Sequence, residues 1–402
     1  VSREPVLFVS HEGTLTGAPM MLLHFLRWLR DHSRIEPEIV LLRGGPLHEA
    51  FAEVGPTTVL GEEVGWPGTT PEEEALLAAG KRDRALERQR ARVRPTLAHL
   101  QGARPIYLNS VASLRLLHHL PDVSPVIAHI HELESAMRWA MLPEDPALLA
   151  DRVDHVVAAA DCVAANLVRN HAVAPEHITR VYEFIEAGRV QAPHRDRDNV
   201  RAQLGIGPND HVIGGSGFGD WRKGLDLFVQ LARRFRVLGR DDVHLVWVGD
   251  RAGGSEREQI DFDIAQADVA DNLHLVGLQT HPFDWYRTFD VFALTSREDP
   301  YPLVGLEISL LEVPMVCFET AGGMTELVTR STDEGLGESG VVVPYLDVEA
   351  MADAMIALID DPSRRAEMGA RAAHVVARDH EVEVAGPQLL DVIERVTARS
   401  LR

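Results

Sequence analysis

Two doubly wound α/β domains, each built on a mostly parallel sheet, are the fold this sequence predicts, and three observations carry it. Short apolar runs alternate with amphipathic helical patterns along the whole chain, the signature of βαβ units. The rhythm runs twice, once on each side of a polar stretch. The length, 402 residues, suits two or three domains of ordinary size and exceeds one ordinary core.

In the first half VLFVS (6–10), EIVLL (38–42), PIYLN (105–109), PVIAHI (125–130) and HVVAA (155–159) read as buried strands. Helices over Pro19–Arg30 and Pro146–Arg152 lie between them. Residues 186–210 are polar, are punctuated by Pro and Gly, and predict a linker. In the second half HVIGGSG (211–217), VHLVWVG (243–249), LHLVG (273–277), VFALTS (291–296) and PMVCFE (314–319) repeat the strand pattern. The domains are therefore expected at 1–190 and 191–381, with 382–402 a final helix placed to pack back on the first domain. Such a pair is expected to face a cleft at the strand C-termini, where α/β sheets bind ligands.

Composition narrows the function classes. Lys and Arg number 40 against 61 Asp and Glu, a net charge of −21, which excludes nucleic-acid binding through bulk charge. Any anion site must be local. Only Lys81 and Lys223 are lysine, so arginine is the default cation of this chain. That bias, with abundant Ala, fits a GC-rich bacterial genome. Cys162 and Cys317 sit in apolar stretches and make neither a disulfide framework nor a zinc spacing. No apolar run approaches the ~18–20 residues of a membrane span, and the first residues lack a signal-peptide pattern, so a cytoplasmic location is expected.

Several stretches carry chemistry. After the first strand, SHEGTLTGAP feeds a helix that Thr16 is placed to cap and Pro19 to begin. Small residues there, Gly13, Gly17 and Ala18, leave backbone N–H groups open to a phosphate or carboxylate; a plain strand-to-helix turn is the alternative. The second domain opens alike, with Arg222 and Lys223 at a helix entry. Cations there oppose the helix dipole and call for an offsetting anion or free solvent. A lysine in an arginine-rich chain fits a compact charge for phosphate. GGSGFG does not complete a dinucleotide fingerprint, and Asp261 and Asp263 read as charges on a helix surface.

In SREDPYPLVGLE (296–307) a loop carries Glu298 and Asp299 and a helix entered near Gly305 carries Glu307. Two carboxylates can accept hydrogen bonds from several sugar or ribose hydroxyls. The N–H groups of Leu303 and Val304 are placed to face a diphosphate. His129 and His131, in HIHELE, share one side of an extended chain. That is metal-ligand spacing, although a structural histidine is the commoner outcome and no Cys or third His lies nearby. KRDRALERQRARVR (81–94) reads as a helix with seven basic and two acidic residues. It is either a solvated face or a surface that meets an anionic acceptor or lipid headgroups.

SHEGTLTGAP, GSGFGDWRKGLDLF, and above all SREDPYPLVGLE with PMVCFETAGGMTEL together resemble the retaining GT-B glycosyltransferases of family 4, built from two Rossmann-like domains. The resemblance runs from about Val6 to Glu326. It implies transfer of a sugar from a nucleotide-diphosphate sugar to a glycan, lipid-linked or small-molecule hydroxyl, with retention and without a metal or other cofactor. It places Glu307 on the ribose, Asp299 and His131 at the donor sugar, and Lys223 with Arg222 on the diphosphate. Gly17 falls in the loop facing donor and acceptor, and Val276 in the stretch against the nucleobase. The family's usual Arg six residues before the Lys is Gly217 here, and Arg222 is the candidate replacement. A non-catalytic sugar-nucleotide or glycan-binding protein, or another GT-B activity such as an epimerase, is the alternative. No nucleic-acid partner is expected, and peripheral membrane contact would run through 81–94.

Overall fold

The strands form where β-branched and aromatic residues run uninterrupted, because a parallel sheet covered on both faces buries both sides of each strand. A computed structural model of the chain describes residues 4–62, 66–100, 102, 104–143, 145–191, 194–249 and 254–400. It divides into two units, Val1–Glu183 with Val382–Arg402, and Phe184–Glu381.

The first unit holds β1 (Glu4–Ser10), β2 (Ile35–Leu41), β3 (Thr57–Val59), β4 (Ile106–Asn109), β5 (Val126–Ile130), β6 (His155–Ala158) and β7 (Ile178–Arg180). They form one sheet in the order β3-β2-β1-β4-β5-β6-β7, with every pairing parallel. The register sets Ser10 beside Asn109 and Asn109 beside His129, so three strand ends come together along the C-terminal edge of the sheet. Phe8, Phe25 and Tyr107 pack with ring centroids 5.4–6.3 Å apart beneath that edge. The Gly17–His32 helix buries Met21, Leu22, Phe25, Leu26 and Leu29. Thr16 occupies its N-cap position but makes no side-chain cap bond; its hydroxyl turns instead to Thr14 and Glu12.

The Val382–Ser400 helix belongs to this unit. Trp28 Nε1 donates to Glu383 at 2.9 Å, and the Trp28 ring lies so close to Gly386 that a Cβ there would come within 2.6 Å of it.

The second unit holds β8 (His211–Ser216), β9 (Val243–Val248), β10 (Leu273–Leu275), β11 (Val291–Leu294), β12 (Met315–Phe318) and β13 (Gly340–Val343), in the order β10-β9-β8-β11-β12-β13. Its core joins Phe228, Leu231 and Phe235 of the Leu225–Val237 helix to Trp247, Val291, Val316 and Phe318 of the sheet.

The division at Glu183/Phe184 lies seven residues before the 190/191 boundary drawn from sequence. Residues 186–210 are also more than a linker. Ala187–Gln191 and Arg197–Ala202 are short helices, and the Asp196 side chain caps the second. The polar residues that gave the segment a linker's composition form ion pairs with the second unit: Arg195 with buried Asp284 at 3.1 Å, Arg197 with Asp290 at 3.3 Å.

Candidate functional site

The loops after β8 and β11 in the second unit build an anion-ready cluster. The first runs through Gly217 to Arg222 and Lys223 and enters the Leu225–Val237 helix. Backbone and side-chain bonds join it to the second loop: Thr295 Oγ1 donates to Lys223 O at 3.1 Å, and Arg297 N to Arg222 O at 2.8 Å. The Arg297 guanidinium donates to Trp221 O at 2.7 Å and to both carboxylate oxygens of Asp226 at 2.8 and 2.6 Å. Arg297 thereby staples the cationic loop in place.

Asp299 is the anion at the centre. Lys223 Nζ donates to its Oδ2 at 2.5 Å, Ser296 Oγ donates to the same oxygen at 3.1 Å, and Arg222 Nη1 lies 3.4 Å from Oδ1. Arg222 Nη1 also donates to Glu298 O at 3.1 Å. The loop is fixed from the other side by Asp299 N donating to Ala321 O at 2.7 Å. The touching residue must be glycine: Gly322 has φ +152°, and a Cβ there would fall 1.6 Å from Asp299 O.

Burial works to raise the Asp299 carboxyl, but the charges of Lys223 and Arg222 hold it below the usual carboxylate range, so it stays ionised. Burial pulls the Lys223 ammonium below its usual range, opposed by Asp299 and aided by Arg222. A bound diphosphate would relieve that deficit of negative charge.

The Leu303–Leu310 helix starts two residues earlier than its sequence suggested, with Pro302 at the N-cap. The N–H groups of Leu303 and Val304 head this helix and have no acceptor within it. Glu307 lies one turn on. Burial lifts its carboxyl to about 7, with Arg189 acting to lower it. The same burial, with the Glu307 charge, lifts the Tyr286 hydroxyl, which is bonded to Ser216 Oγ at 2.8 Å. Val276 follows β10; its N–H donates to Trp247 O at 3.0 Å and its carbonyl accepts from Gln279 Nε2 at 2.7 Å.

Gly217 shows why no arginine stands there. Its φ is +142°, a conformation that strains any L side chain, and a Cβ would lie 3.1 Å from Lys223 Cδ, so the lysine stem would have to give way. Arg222 is the second cation beside Lys223.

The first unit gathers a separate cluster at the ends of β1, β4 and β5. Alternation puts Tyr107 and Asn109 on one face of β4 and His129 on the matching face of β5, with His131 immediately after the strand. Tyr107 OH lies 2.6 Å from His129 Nδ1, and Asn109 Oδ1 accepts from His131 Nε2 at 2.9 Å. Asn109 Nδ2 donates to Ala18 O at 2.9 Å, which brings the Gly17 loop to the same corner. His131 Nδ1 is hydrogen-bonded to Glu183. Burial alone would lower the His131 ring; the Glu183 charge and bond, with Glu132, raise it above the ordinary histidine range. His129, buried beside that cation, is held well below it.

Glu132 ties the exits of these two parallel strands together by accepting from Ser110 Oγ and from His131 N, the latter at 2.9 Å. Ser110 carries φ +106°, backbone strain of the kind that collects at functional sites. The sequence-predicted residues thus fall into two groups: Arg222, Lys223, Asp299, Leu303, Val304, Glu307 and Val276 in the second unit, Gly17 and His131 in the first. Asn109, Glu183 and Arg297 were missed. Each acts through a fold contact 22 to 76 residues away in the chain, and no local spacing marks them.

Residues 196–375 match the family model described as glycosyl transferases group 1. The lipopolysaccharide core biosynthesis mannosyltransferase LpsB of Rhizobium meliloti is 29% identical over 242 residues, 58% of this chain and 64% of that protein. A D-inositol 3-phosphate glycosyltransferase of Kineococcus radiotolerans is 28% identical over 267 residues, 62% of this chain and 61% of that protein. The matches thus span less than two thirds of these curated relatives. Anabaena Alr3699/HepE, solved with UDP and glucose, superposes with a TM-score of 0.76 at 18% identity, covering 97% of this chain and 99% of that one. The lipopolysaccharide glycosyltransferase WaaG gives 0.69 at 12% identity, covering 96% and 99%. These likenesses show the GT-B fold, with two parallel-sheet α/β units.

Proposed function

We propose, from the match of residues 196–375 to the group 1 glycosyl transferases, that this chain moves a sugar from a nucleotide-diphosphate sugar to a hydroxyl acceptor. The observation that carries this is the pair of cations, Arg222 and Lys223, held on buried Asp299 beside an open helix N-terminus. A diphosphate leaving group gathers negative charge as its bond to the sugar breaks, and fixed cations and N–H groups stabilise that charge without a divalent metal. Leu303 and Val304 supply the N–H groups, Glu307 accepts from the ribose hydroxyls, and the chain around Val276 lies against the base. The Anabaena structures hold UDP, UDP with glucose, and UDP-glucose, which supports a donor of that class.

The transfer proceeds with retention. The anomeric carbon–oxygen bond to the diphosphate breaks, the acceptor oxygen bonds to the same face of that carbon, and a diphosphate oxygen takes the acceptor proton. His131, its basicity raised by Glu183 and its ring aimed by Asn109, and the Gly17 loop serve the sugar. Asp299, expected at the reacting carbon, is engaged with Lys223, Arg222 and Ser296, and acts there by fixing the cations. The acceptor is a glycan, a lipid-linked sugar or a small molecule.

In the Arg82–Val93 helix Arg88 pairs with Glu72, and Arg92 with buried Glu73. Arg84, Arg90 and Arg94 are exposed and form the face for a peripheral contact with anionic lipid. No helix among the described residues is long and apolar enough to cross a membrane. An Arg84/Arg90/Arg94→Glu variant should lose binding to phosphatidylglycerol vesicles and keep its fold; unchanged binding removes the membrane proposal.

The test of the activity is turnover of UDP-, GDP-, ADP- and dTDP-sugars with EDTA present, with the product anomer read by NMR. Retained configuration is expected. Inversion removes the retaining mechanism, and donor binding with no turnover on any acceptor class favours a non-catalytic binding protein.

A further inference from the structure

We propose that His129, His131 and Glu183 form a binding site for a divalent transition-metal ion of the zinc class within the first unit. The three offer two imidazole nitrogens and a carboxylate oxygen within 4.8 Å of one another, a donor set suited to zinc and its neighbours. Tetrahedral bonds of ~2.0–2.1 Å place ligand atoms roughly 3.4 Å apart, so side-chain adjustments of about 1 Å close the site.

Two features point to a cation beyond the proximity itself. His129 is 1% exposed, and its Nε2 is buried with no hydrogen-bond partner, a cost a folded core seldom carries without a reason. The His131–Glu183 ion pair explains two of the three residues and leaves that nitrogen unexplained. A metal ion explains it: with the ring proton on Nδ1, donated to Tyr107 OH 2.6 Å away, Nε2 carries the lone pair, and the centroids of the His129 and His131 rings are 4.0 Å apart. The outer partners are also those of a metal site. Histidine ligands usually bond their second nitrogen to a fixed acceptor, and His131 Nε2 has Asn109 Oδ1 at 2.9 Å. The metal then takes the place of the proton that His131 Nδ1 shares with Glu183.

Such an ion is separate from the transfer chemistry proposed above. It ties up the ring assigned to the donor sugar, so the metal-loaded protein is an inhibited form, and the three protein ligands leave a coordination position open.

The experiment is a Co2+ titration of the full, chelator-stripped chain without any sugar donor, followed by visible absorption and by Zn2+ competition, on wild type, His129→Gln and Glu183→Gln. Binding is read directly, so it stands or falls apart from glycosyl transfer. One equivalent with the d–d bands of a tetrahedral N/O site is expected in wild type. It should weaken about 100-fold or more in each variant, at the scale of ligand-sphere losses, while thermal unfolding shows both variants folded. The exposed pair His194 and His281 contributes a background common to all three proteins. If wild type takes no equivalent beyond that background, or if a folded variant keeps it at equal affinity, the site does not exist. Glu183→Gln decides the matter should His129→Gln fail to fold.

Discussion

Lys223 Nζ donates to Asp299 Oδ2 at 2.5 Å, with the two side chains 13% and 6% exposed. An ammonium has three donors, and one of them is committed here. The carboxylate fixes where the other two can be used, so the cation is in place before any phosphate arrives.

Removing one partner should therefore cost more than removing both. Lys223→Met leaves a buried carboxylate held only by Ser296 and by Arg222 at 3.4 Å, and should destabilise the second unit by about 3–5 kcal/mol. Lys223→Met with Asp299→Asn should recover most of that loss and still fail to bind donor. Thermal unfolding with nucleotide titration separates the two effects; a double variant as unstable as the single one contradicts the pairing.

Glu307 gives the pH dependence. Its carboxyl is raised to about 7 in the free protein from an unfolded value near ~4.3, so its contribution to stability is full below ~4.3 and is lost as pH rises through 7. The ionised form is the stronger acceptor for ribose hydroxyls. Donor affinity should therefore strengthen between pH 6 and 8, with proton release on binding. Calorimetry in buffers of different ionisation enthalpy measures this, and Glu307→Gln should flatten both trends.

Both sheets were legible in the sequence because their strands are uninterrupted apolar runs. β3 and β7 were missed for a physical reason, since TTV and ITR are three-residue edge strands that mix polar with apolar residues, whereas β13, GVVV, carries the same apolar signal as its neighbours and was not among the strands expected. Lys223, Asp299 and Glu307 were legible because one short stretch or one rare residue type marks each. Asn109 and Glu183 were not, since register and a β7 exit, rather than spacing, bring them to His131. The linker was misplaced because ion-paired arginines give a packed segment the composition of a loose one.

Restoring the family's usual arginine should fail. Gly217→Arg puts a Cβ 3.1 Å from the Lys223 stem at φ +142°, strain of about 1–3 kcal/mol that displaces the lysine. Donor affinity should fall in this variant and in Arg222→Ala alike. An Arg at 217 that tightens donor binding contradicts the assignment of Arg222.

Asn109→Ala removes the acceptor for His131 Nε2 and the donor to Ala18 O. The ring keeps Glu183 but loses its aim. The turnover rate should fall by about 100-fold, as small misplacements at a reacting centre do, with the donor dissociation constant within about threefold of wild type. A matched loss in donor affinity would mean that Asn109 serves the fold alone.

The most direct test of the donor site is calorimetric titration of UDP-, GDP-, ADP- and dTDP-sugars in EDTA, on wild type and on Lys223→Ala. Selective binding of one nucleotide by wild type, abolished in the folded variant, is the predicted result. Binding of equal strength in both proteins, or binding that appears only when a divalent metal is added, would contradict it.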